Sequence, residues 1–293
     1  MDKLENILRT FKPDVTNNTI KSYGQSIKKI MKELGTDDFK ALHDKKKVDT
    51  KLENITYVTK RNIYNSIIVL LQALKTDPAI ILTYQEERDA LNKQYSDFAS
   101  KNEKSEKQEQ NWLTDDEIKE TLEYQKSFDS KKHLLLKLYL EYPLRNDMRS
   151  LKLITNAKYN KMKTEDKTEN YLIRNQKPIG YKLGINNYKT KGVYGNKIID
   201  IDPSFNKDIG QYLRKHPENV YLFETNKGTP YDTTTFTKYF KSIFKKTGKA
   251  VGTTMMRHIV ATQKGGEALK AQKELADTML HSVAQNQAYI KLD

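Results

Sequence analysis

The segment SKNEKSEKQEQN, residues 100–111, contains no apolar side chain and separates two parts of the chain with different sequence patterns. We expect it to be a solvated, extended linker, because a run without apolar residues has nothing to bury. Apolar residues before it recur at helical spacing, whereas both helical patterns and short strand-like runs occur after it. The sequence therefore predicts a helical N-terminal domain at 1–100, a polar linker at 101–111 and a second domain at 112–293.

The N-terminal part shows three helical patterns and no run that is typical of a strand. The first covers 19–34, with apolar residues on one face and lysines on the other, and Gly35 is predicted to end it. The second begins at Thr59 as its N-cap, and the third covers 78–98 with Pro78 in its first turn. These patterns predict a small helical bundle with basic faces.

The second part combines helices with short strands. Residues 114–117, TDDE, form a capping box that predicts the start of a helix. Three runs are typical of β-strands: NYLIRN (170–175), YKLGINNY (181–188) and NKIIDID (196–202). Helical patterns return at residue 232 and are expected to be interrupted at Gly265 and Gly266. We therefore predict a chain that is mainly α with a small β-sheet, an α+β fold.

The composition favours a polyanionic partner. The chain has 52 Lys+Arg against 38 Asp+Glu, a net charge of +14, which fits nucleic acid or an anionic membrane surface. We find no basic amphipathic anchor and no apolar run of membrane-spanning length, so we expect an intracellular, soluble protein that does not associate with membranes. The absence of cysteine excludes disulfides and thiolate metal sites.

Five residues of the second part, in chain order, suit chemistry at a phosphodiester: Arg145, Lys189, Arg257, His281 and Tyr289. Each has an ordinary structural explanation when taken singly, since arginines near helix ends bind carbonyls and most tyrosines pack in cores. Together they offer two guanidinium groups for the non-bridging oxygens, a lysine to protonate a leaving oxygen, a histidine to move a proton and a hydroxyl nucleophile. This scheme needs no metal and no cofactor, and the sequence has no HExxH motif.

The local sequence around these residues resembles that of the tyrosine recombinase (integrase) family. Four segments carry the resemblance: YPLRNDMRSLKL, YKTKGVYG, TTMMRHIVATQ and LHSVAQNQAYIK. They span most of 112–293, whereas the N-terminal part fits the family's core-binding domain only by its helix pattern. The PLRND form resembles divergent members from large eukaryotic DNA viruses and virophages.

The resemblance implies a role for each matched residue. It implies a phosphate clamp of Arg145 and Arg257, a general acid Lys189 with Lys191 as the alternate, a third phosphate-contacting group His281 and a nucleophile Tyr289. It further implies a catalytic domain that breaks and rejoins DNA through a 3′-phosphotyrosyl intermediate without metal.

The chain departs from the family pattern near these residues. Thr254 stands where the family has histidine or lysine, and its hydroxyl can donate to a phosphate oxygen but cannot act as a base near neutral pH. Met148 replaces the acidic residue that commonly follows the first arginine, so either Asp147 orients Arg145 instead or Arg149 disturbs the register of the motif. His258 is expected to point away from the arginine beside it and to pack. The spacing from histidine to tyrosine is one residue shorter than the common form.

The resemblance also implies partners. It predicts double-stranded DNA with specific recombination sites, a homotetramer on DNA and a monomer or dimer when free. It predicts integration of a viral or mobile element in the nucleus or cytoplasm of a host cell. Two alternatives use related chemistry or the same fold: a type IB topoisomerase-like nicking and resealing enzyme, and a catalytically impaired DNA-binding protein. Delivery of Tyr289 in cis or in trans is left open.

Overall fold

The computed structural model describes residues 3–289 and forms two compact units, Met1–Glu103 and Lys104–Asp293. The boundary between the units falls inside the polar segment of residues 100–111. Each unit buries an apolar cluster of its own. Over the described residues, no helix combines the length and the apolar character that a membrane crossing requires.

The first unit is built from helices in its described part. They are α1 Lys3–Phe11, α2 Asn17–Leu34, α3 Lys45–Lys51, α4 Tyr57–Ala73 and α5 Pro78–Lys101, with a 3₁₀ turn at Phe39–His43. Ile27, Ile67 and Tyr84 are fully buried between these helices. The prediction of helices without strands is confirmed for this unit.

Two helix boundaries were predicted in the first unit, and the structure confirms one of them. Gly35 follows α2 in the left-handed region, at φ 68°, and its N–H donates to the Lys32 carbonyl, so the predicted helix stop is confirmed. The predicted N-cap Thr59 is wrong, because α4 begins at Tyr57 with Thr56 as its N-cap. Thr59 lies in the first turn, where its hydroxyl is 3.0 Å from the hydroxyl of Thr56.

The second unit contains the sheet and nine helices among its described residues. The helices are α6 Glu106–Asn111, α7 Asp115–Phe128, α8 Ser130–Glu141, α9 Asn156–Lys161, α10 Lys191–Tyr194, α11 Asn206–Lys215, α12 Thr233–Ser242, α13 Thr253–Thr278 and α14 Val283–Tyr289. The strands are β1 Leu151–Thr155, β2 Asn170–Gln176, β3 Ile179–Ile185 and β4 Lys197–Asp200. The prediction of a mainly α chain with a small sheet is confirmed. The capping box at Thr114 and Glu117 is also formed at the start of α7.

The polar segment is partly helical, where we expected an extended chain. The Ser105 hydroxyl accepts the N–H of Gln108, and the Gln108 side chain accepts the N–H of Ser105, which together form a second capping box. This cap and the good helix propensity of Glu and Gln stabilise α6 without an apolar face. Asn111 then accepts a hydrogen bond from the Ala250 backbone at 2.6 Å. The expected extended conformation is therefore wrong for Glu106–Asn111.

The four strands form one sheet in the order β1-β2-β3-β4. β1 pairs with β2 in parallel, and the other two pairs are antiparallel. The three predicted strands are confirmed as β2, β3 and β4, whereas β1 is not predicted by the sequence pattern. Leu172 and Leu183 on one face join the main core, and Ile173 on the other face packs with Tyr159 of α9 in a smaller cluster.

Helix α13 is longer than the sequence predicts. It continues through Gly265 and Gly266, so the expected interruption there is wrong. Glycine in a helix interior costs about 1 kcal/mol relative to alanine, which the long helix tolerates. The N-terminal half buries Met256, Ile259 and Val260, whereas Ala276 is the buried residue beyond the glycines.

Candidate functional site

The first arginine segment forms a tight turn between α8 and β1. We call residues 143–150 the arginine turn. Pro143 follows the end of α8, and Asn146–Ser150 is a 3₁₀ turn with Met148 fully buried beneath it. The buried Tyr139 hydroxyl donates to the Arg145 carbonyl and so fixes the backbone of the turn, while the Arg145 side chain is exposed.

Helix α13 brings the second arginine to the same turn. Arg257 Nε donates to the Pro143 carbonyl at 2.9 Å. The Thr253 hydroxyl donates to Asn146 Oδ1 at 2.7 Å, from the first turn of the same helix. These two hydrogen bonds join residues far apart in sequence, and they hold the start of α13 against the arginine turn.

Asp147 lies among three arginines. Burial raises the pKa of Asp147, and the neighbouring guanidinium groups of Arg149, Arg145 and Arg257 act in the opposite direction on that pKa. The three cations therefore lie within electrostatic reach of one carboxylate. Met148 is buried in the core, and Asp147 is the acidic residue of this turn.

A buried asparagine links the arginine turn to the predicted lysine. Asn170, at the start of β2, donates to the Asp147 carbonyl at 3.1 Å and to the Asn187 carbonyl at 3.0 Å. Its Oδ1 accepts the backbone N–H groups of Asn186 at 2.9 Å and Asn187 at 2.7 Å. Asn170 is not among the residues predicted for the site, and the signal for it in the sequence is a polar residue at the start of an otherwise apolar strand.

Lys189 and Lys191 lie in the connection between β3 and β4, as predicted. We call residues 186–196 the lysine loop. Both lysines are exposed, and Lys191 begins the short helix α10. The Tyr188 hydroxyl donates to the Gly195 carbonyl at 2.8 Å and closes the loop. Asn170 thus fixes the base of a loop whose lysines remain free to contact a ligand.

His281 and Tyr289 form a separate pair at the end of the chain. Their rings stack with centroids 5.3 Å apart and an interplanar angle of 20°. The His281 N–H donates to the Ala276 carbonyl at 2.9 Å, and its buried Nδ1 has no hydrogen-bond partner among the described residues. Tyr289 is 59% exposed. We call residues 266–289 the C-terminal arm, in which α14 folds back and Gln287 donates to Gln272 of α13 at 3.2 Å.

The two groups of predicted site residues lie apart. The length of α13 from Arg257 to Ala276 corresponds to about 28 Å along the helix axis. The structure therefore brings Arg145, Asp147 and Arg257 together and ties them to the lysine loop. It places His281 and Tyr289 together, but at the far end of α13.

Thr254 and His258, the other predicted residues of α13, are both exposed. Thr254 is exposed on the first turn of α13. His258 is also exposed, so the expectation that it packs is wrong. Over residues 3–289, no group of three or more potential ligand side chains could hold a metal ion.

Comparisons with known proteins give similarity in structure only. No protein-family model matches the chain, and no curated protein matches it. The crystal structure of XerA recombinase is 18% identical with a TM-score of 0.36, over 98% of this chain and 94% of that chain. The XerH site-specific recombinase bound to difH substrate, in a pre-cleavage complex, is 16% identical with a TM-score of 0.43, over 99% of this chain and 91% of that chain. Likeness at this level carries no weight for function, which has to rest on this chain's own residues.

Proposed function

We propose that this chain is a site-specific tyrosine recombinase that cleaves and rejoins double-stranded DNA. The observation that carries the proposal is the cluster of Arg145, Asp147 and Arg257, which Asn170 connects to the lysine loop. The site has two guanidinium groups near one carboxylate and an exposed lysine on a fixed loop. Such a site can stabilise the negative charge that builds up on a phosphodiester as it is attacked. The net charge of +14 supports binding to DNA phosphates.

The proposed reaction consists of two phosphoryl transfers, first to Tyr289 and then to another DNA strand. The Tyr289 hydroxyl oxygen attacks the phosphorus of a DNA phosphodiester, and the bond from phosphorus to the 5′ oxygen breaks. Arg145 and Arg257 bind the non-bridging oxygens, and Lys189 gives a proton to the leaving 5′ oxygen. His281, stacked on the tyrosine ring, is the proposed acceptor of the Tyr289 proton. A 5′ hydroxyl of another strand then loses its proton and attacks the phosphorus of the phosphotyrosyl link. The bond from phosphorus to the Tyr289 oxygen breaks, and Tyr289 regains its proton.

This reaction requires the C-terminal arm to reach the arginine turn. We propose that α13 bends at Gly265 and Gly266, with delivery to a second copy of the chain as the alternative. An added Cβ at Gly265 would meet no atom within 4 Å, so this point of the helix is not packed. Beyond it, Leu275 is 48% exposed and Leu280 is 91% exposed, which leaves an apolar face that either movement would cover.

The biological setting is a further part of the proposal. The family resemblance supports assembly as a homotetramer on DNA recombination sites and integration of a viral or mobile element. The linked arginine turn and lysine loop are common to recombination and to topoisomerase-like nicking and resealing. Assembly on two target sites is what separates these two activities.

Trapping of the covalent intermediate tests the proposal. Nicked duplex DNA with a random-sequence region is incubated with the full chain without added metal, and adducts that survive boiling in detergent are counted and sequenced. We expect an adduct with the wild type and none with Tyr289→Phe. Tyr95→Phe is the matched control, because Tyr95 is also exposed, at 44% against 59% for Tyr289, and lies outside the arginine turn and the lysine loop. An adduct with Tyr289→Phe would show that another residue is the nucleophile.

The separation of Tyr289 from the arginines favours one second candidate, a DNA-binding protein that has lost cleavage. In that case the wild type forms no adduct on any DNA but still binds duplex DNA with steep salt dependence. The same experiment therefore decides between the two candidates.

A further inference from the structure

A basic groove lies between the sheet and α11, at the other end of the sheet from the arginine turn. Its volume is about 670 Å³, and its polar lining comes from Arg174, Tyr181, Arg214, His216 and Asn219. No carboxylate is among its lining residues in the described chain. A groove with two guanidinium groups and no carboxylate in its lining attracts an anion.

Arg174 occupies an unusual position in the sheet. It lies on the same face of β2 as the fully buried Leu172, and it pairs with Tyr181 of β3. The half-buried Arg174 side chain has no ion pair or hydrogen bond among residues 3–289. None of the Arg174 side-chain nitrogens is both buried and unpartnered, so the guanidinium is open to the groove and is available to bind an anion there.

Arg214 and Tyr181 converge on one point of the groove. Gly210, on the facing turn of α11, has no side chain there. A Cβ at Gly210 would lie 3.4 Å from Arg214 Nη1 and 3.6 Å from the Tyr181 hydroxyl. Both groups therefore project over the same glycine, and both can donate hydrogen bonds to one ligand.

The rest of the groove is consistent with an anion site. The imidazole of His216 packs on the ring of Tyr212 at 4.6 Å, which limits its movement. Glu224 lies near Val220 of the groove, but its Oε1 accepts the backbone N–H groups of Val220 at 2.7 Å and Tyr221 at 2.8 Å. This carboxylate is thus already occupied by backbone donors.

We propose that this groove binds a phosphate group through Arg174 and Arg214, with Tyr181 as a further donor. Guanidinium groups bind phosphate oxygens by paired, charge-assisted hydrogen bonds. A volume of about 670 Å³ is in the range of small-molecule sites, so the groove can hold a mononucleotide as well as one backbone phosphate of DNA. β1 separates it from the arginine turn, since Arg174 pairs with Thr155 at the end of that strand and the turn precedes its start at Leu151.

The test uses the full chain and the double variant Arg174→Gln/Arg214→Gln. Lys119→Gln/Lys126→Gln is the matched control, because it removes the same charge from exposed positions of α7. In the first arm, titration calorimetry measures the affinity of each protein for AMP and for inorganic phosphate. In the second arm, the affinity for duplex DNA is measured at several salt concentrations. The single variant Arg214→Gln, at an exposed position, keeps the test valid if the double variant does not fold.

Either source of phosphate gives a distinct result. A free nucleotide site gives saturable AMP binding that the groove variants weaken roughly tenfold or more and the control does not. A DNA phosphate site lowers the slope of log affinity against log salt by about 0.9 in the groove variants alone. If AMP and phosphate do not bind and the salt slope equals that of the control, the proposal is wrong. The first arm decides this even if the chain neither cleaves nor binds DNA.

Discussion

The imidazole of His281 stacks on the ring of Tyr289 with centroids 5.3 Å apart, at the end of a helix whose start carries Arg257. His281 and Tyr289 therefore lie together on the C-terminal arm. A movement that brings Tyr289 to the arginine turn and keeps this stacking also brings His281, as the proposed proton transfer from Tyr289 to His281 requires.

His281→Asn is expected to reduce adduct formation by roughly 10²- to 10⁴-fold, the usual contribution of a general base. The measurement is the single-turnover rate of adduct formation on nicked DNA. His258→Asn is the control, because His258 is exposed and makes no proposed contact. Equal rates for His281→Asn and the wild type would remove His281 from the mechanism.

Asn170→Ala is expected to lower the free energy of unfolding by about 1–3 kcal/mol, because it leaves buried backbone groups of the lysine loop unpaired. Urea denaturation followed by circular dichroism measures this loss. The rate of adduct formation should fall as well, since the base of the lysine loop is no longer fixed. Asn175→Ala on the same strand is the control. It should change the free energy of unfolding by less than about 0.5 kcal/mol and leave the rate of adduct formation unchanged.

Lys189→Ala is expected to slow cleavage of ordinary DNA and to spare DNA with a bridging sulfur at the 5′ position. A thiolate leaves without protonation, so the general acid is no longer needed. Rates on the two substrates are compared for Lys189→Ala and Lys191→Ala. A selective rescue of Lys191→Ala instead would assign the acid to Lys191.

Gly265→Ala/Gly266→Ala is expected to slow adduct formation about 30-fold, because the two alanines together favour the straight helix by about 2 kcal/mol. Both alanines fit, since the closest contact of an added Cβ is 3.5 Å, from Gly266 to Thr262. Gly24→Ala in α2 is the control for the same substitution in another helix.

Bending within one chain is contradicted if the alanines have no effect and a mixture of Arg257→Ala with Tyr289→Phe regains adduct formation. A second copy then supplies the tyrosine.

Asp147→Asn is expected to gain stability relative to the wild type as the pH rises. Burial raises the pKa of Asp147 above 3.8, so the folded state binds this proton more tightly than the unfolded state does. The stability contribution of the protonated carboxyl is fully present below pH 3.8 and is lost as the pH rises through the raised pKa. Unfolding free energies of both proteins across this range measure the trend, and a constant difference would contradict it.

Local signals predicted much of the second unit. The alternation in NYLIRN and YKLGINNY gave β2 and β3, and the capping box at Thr114 gave the start of α7. β1 was missed, because its parallel partner β2 is not adjacent in sequence and the pairing leaves no turn signature. The hydrophobic pattern does not predict α6, because the capping box at Ser105 stabilises this helix without an apolar face.

The sequence by itself determined most of the helical and strand segments, the basic charge, and the positions of Arg145, Lys189, Arg257, His281 and Tyr289 along the chain. These depend on side-chain chemistry and on preferences that act over a few residues. Only the tertiary structure decided which of them meet. The parallel pairing of β1 with β2 places Asn170 beside the arginine turn, and the unbroken course of α13 through Gly265 and Gly266 separates Arg257 from Tyr289. Contacts of this kind depend on burial and hydrogen bonding between distant segments, which no local pattern contains.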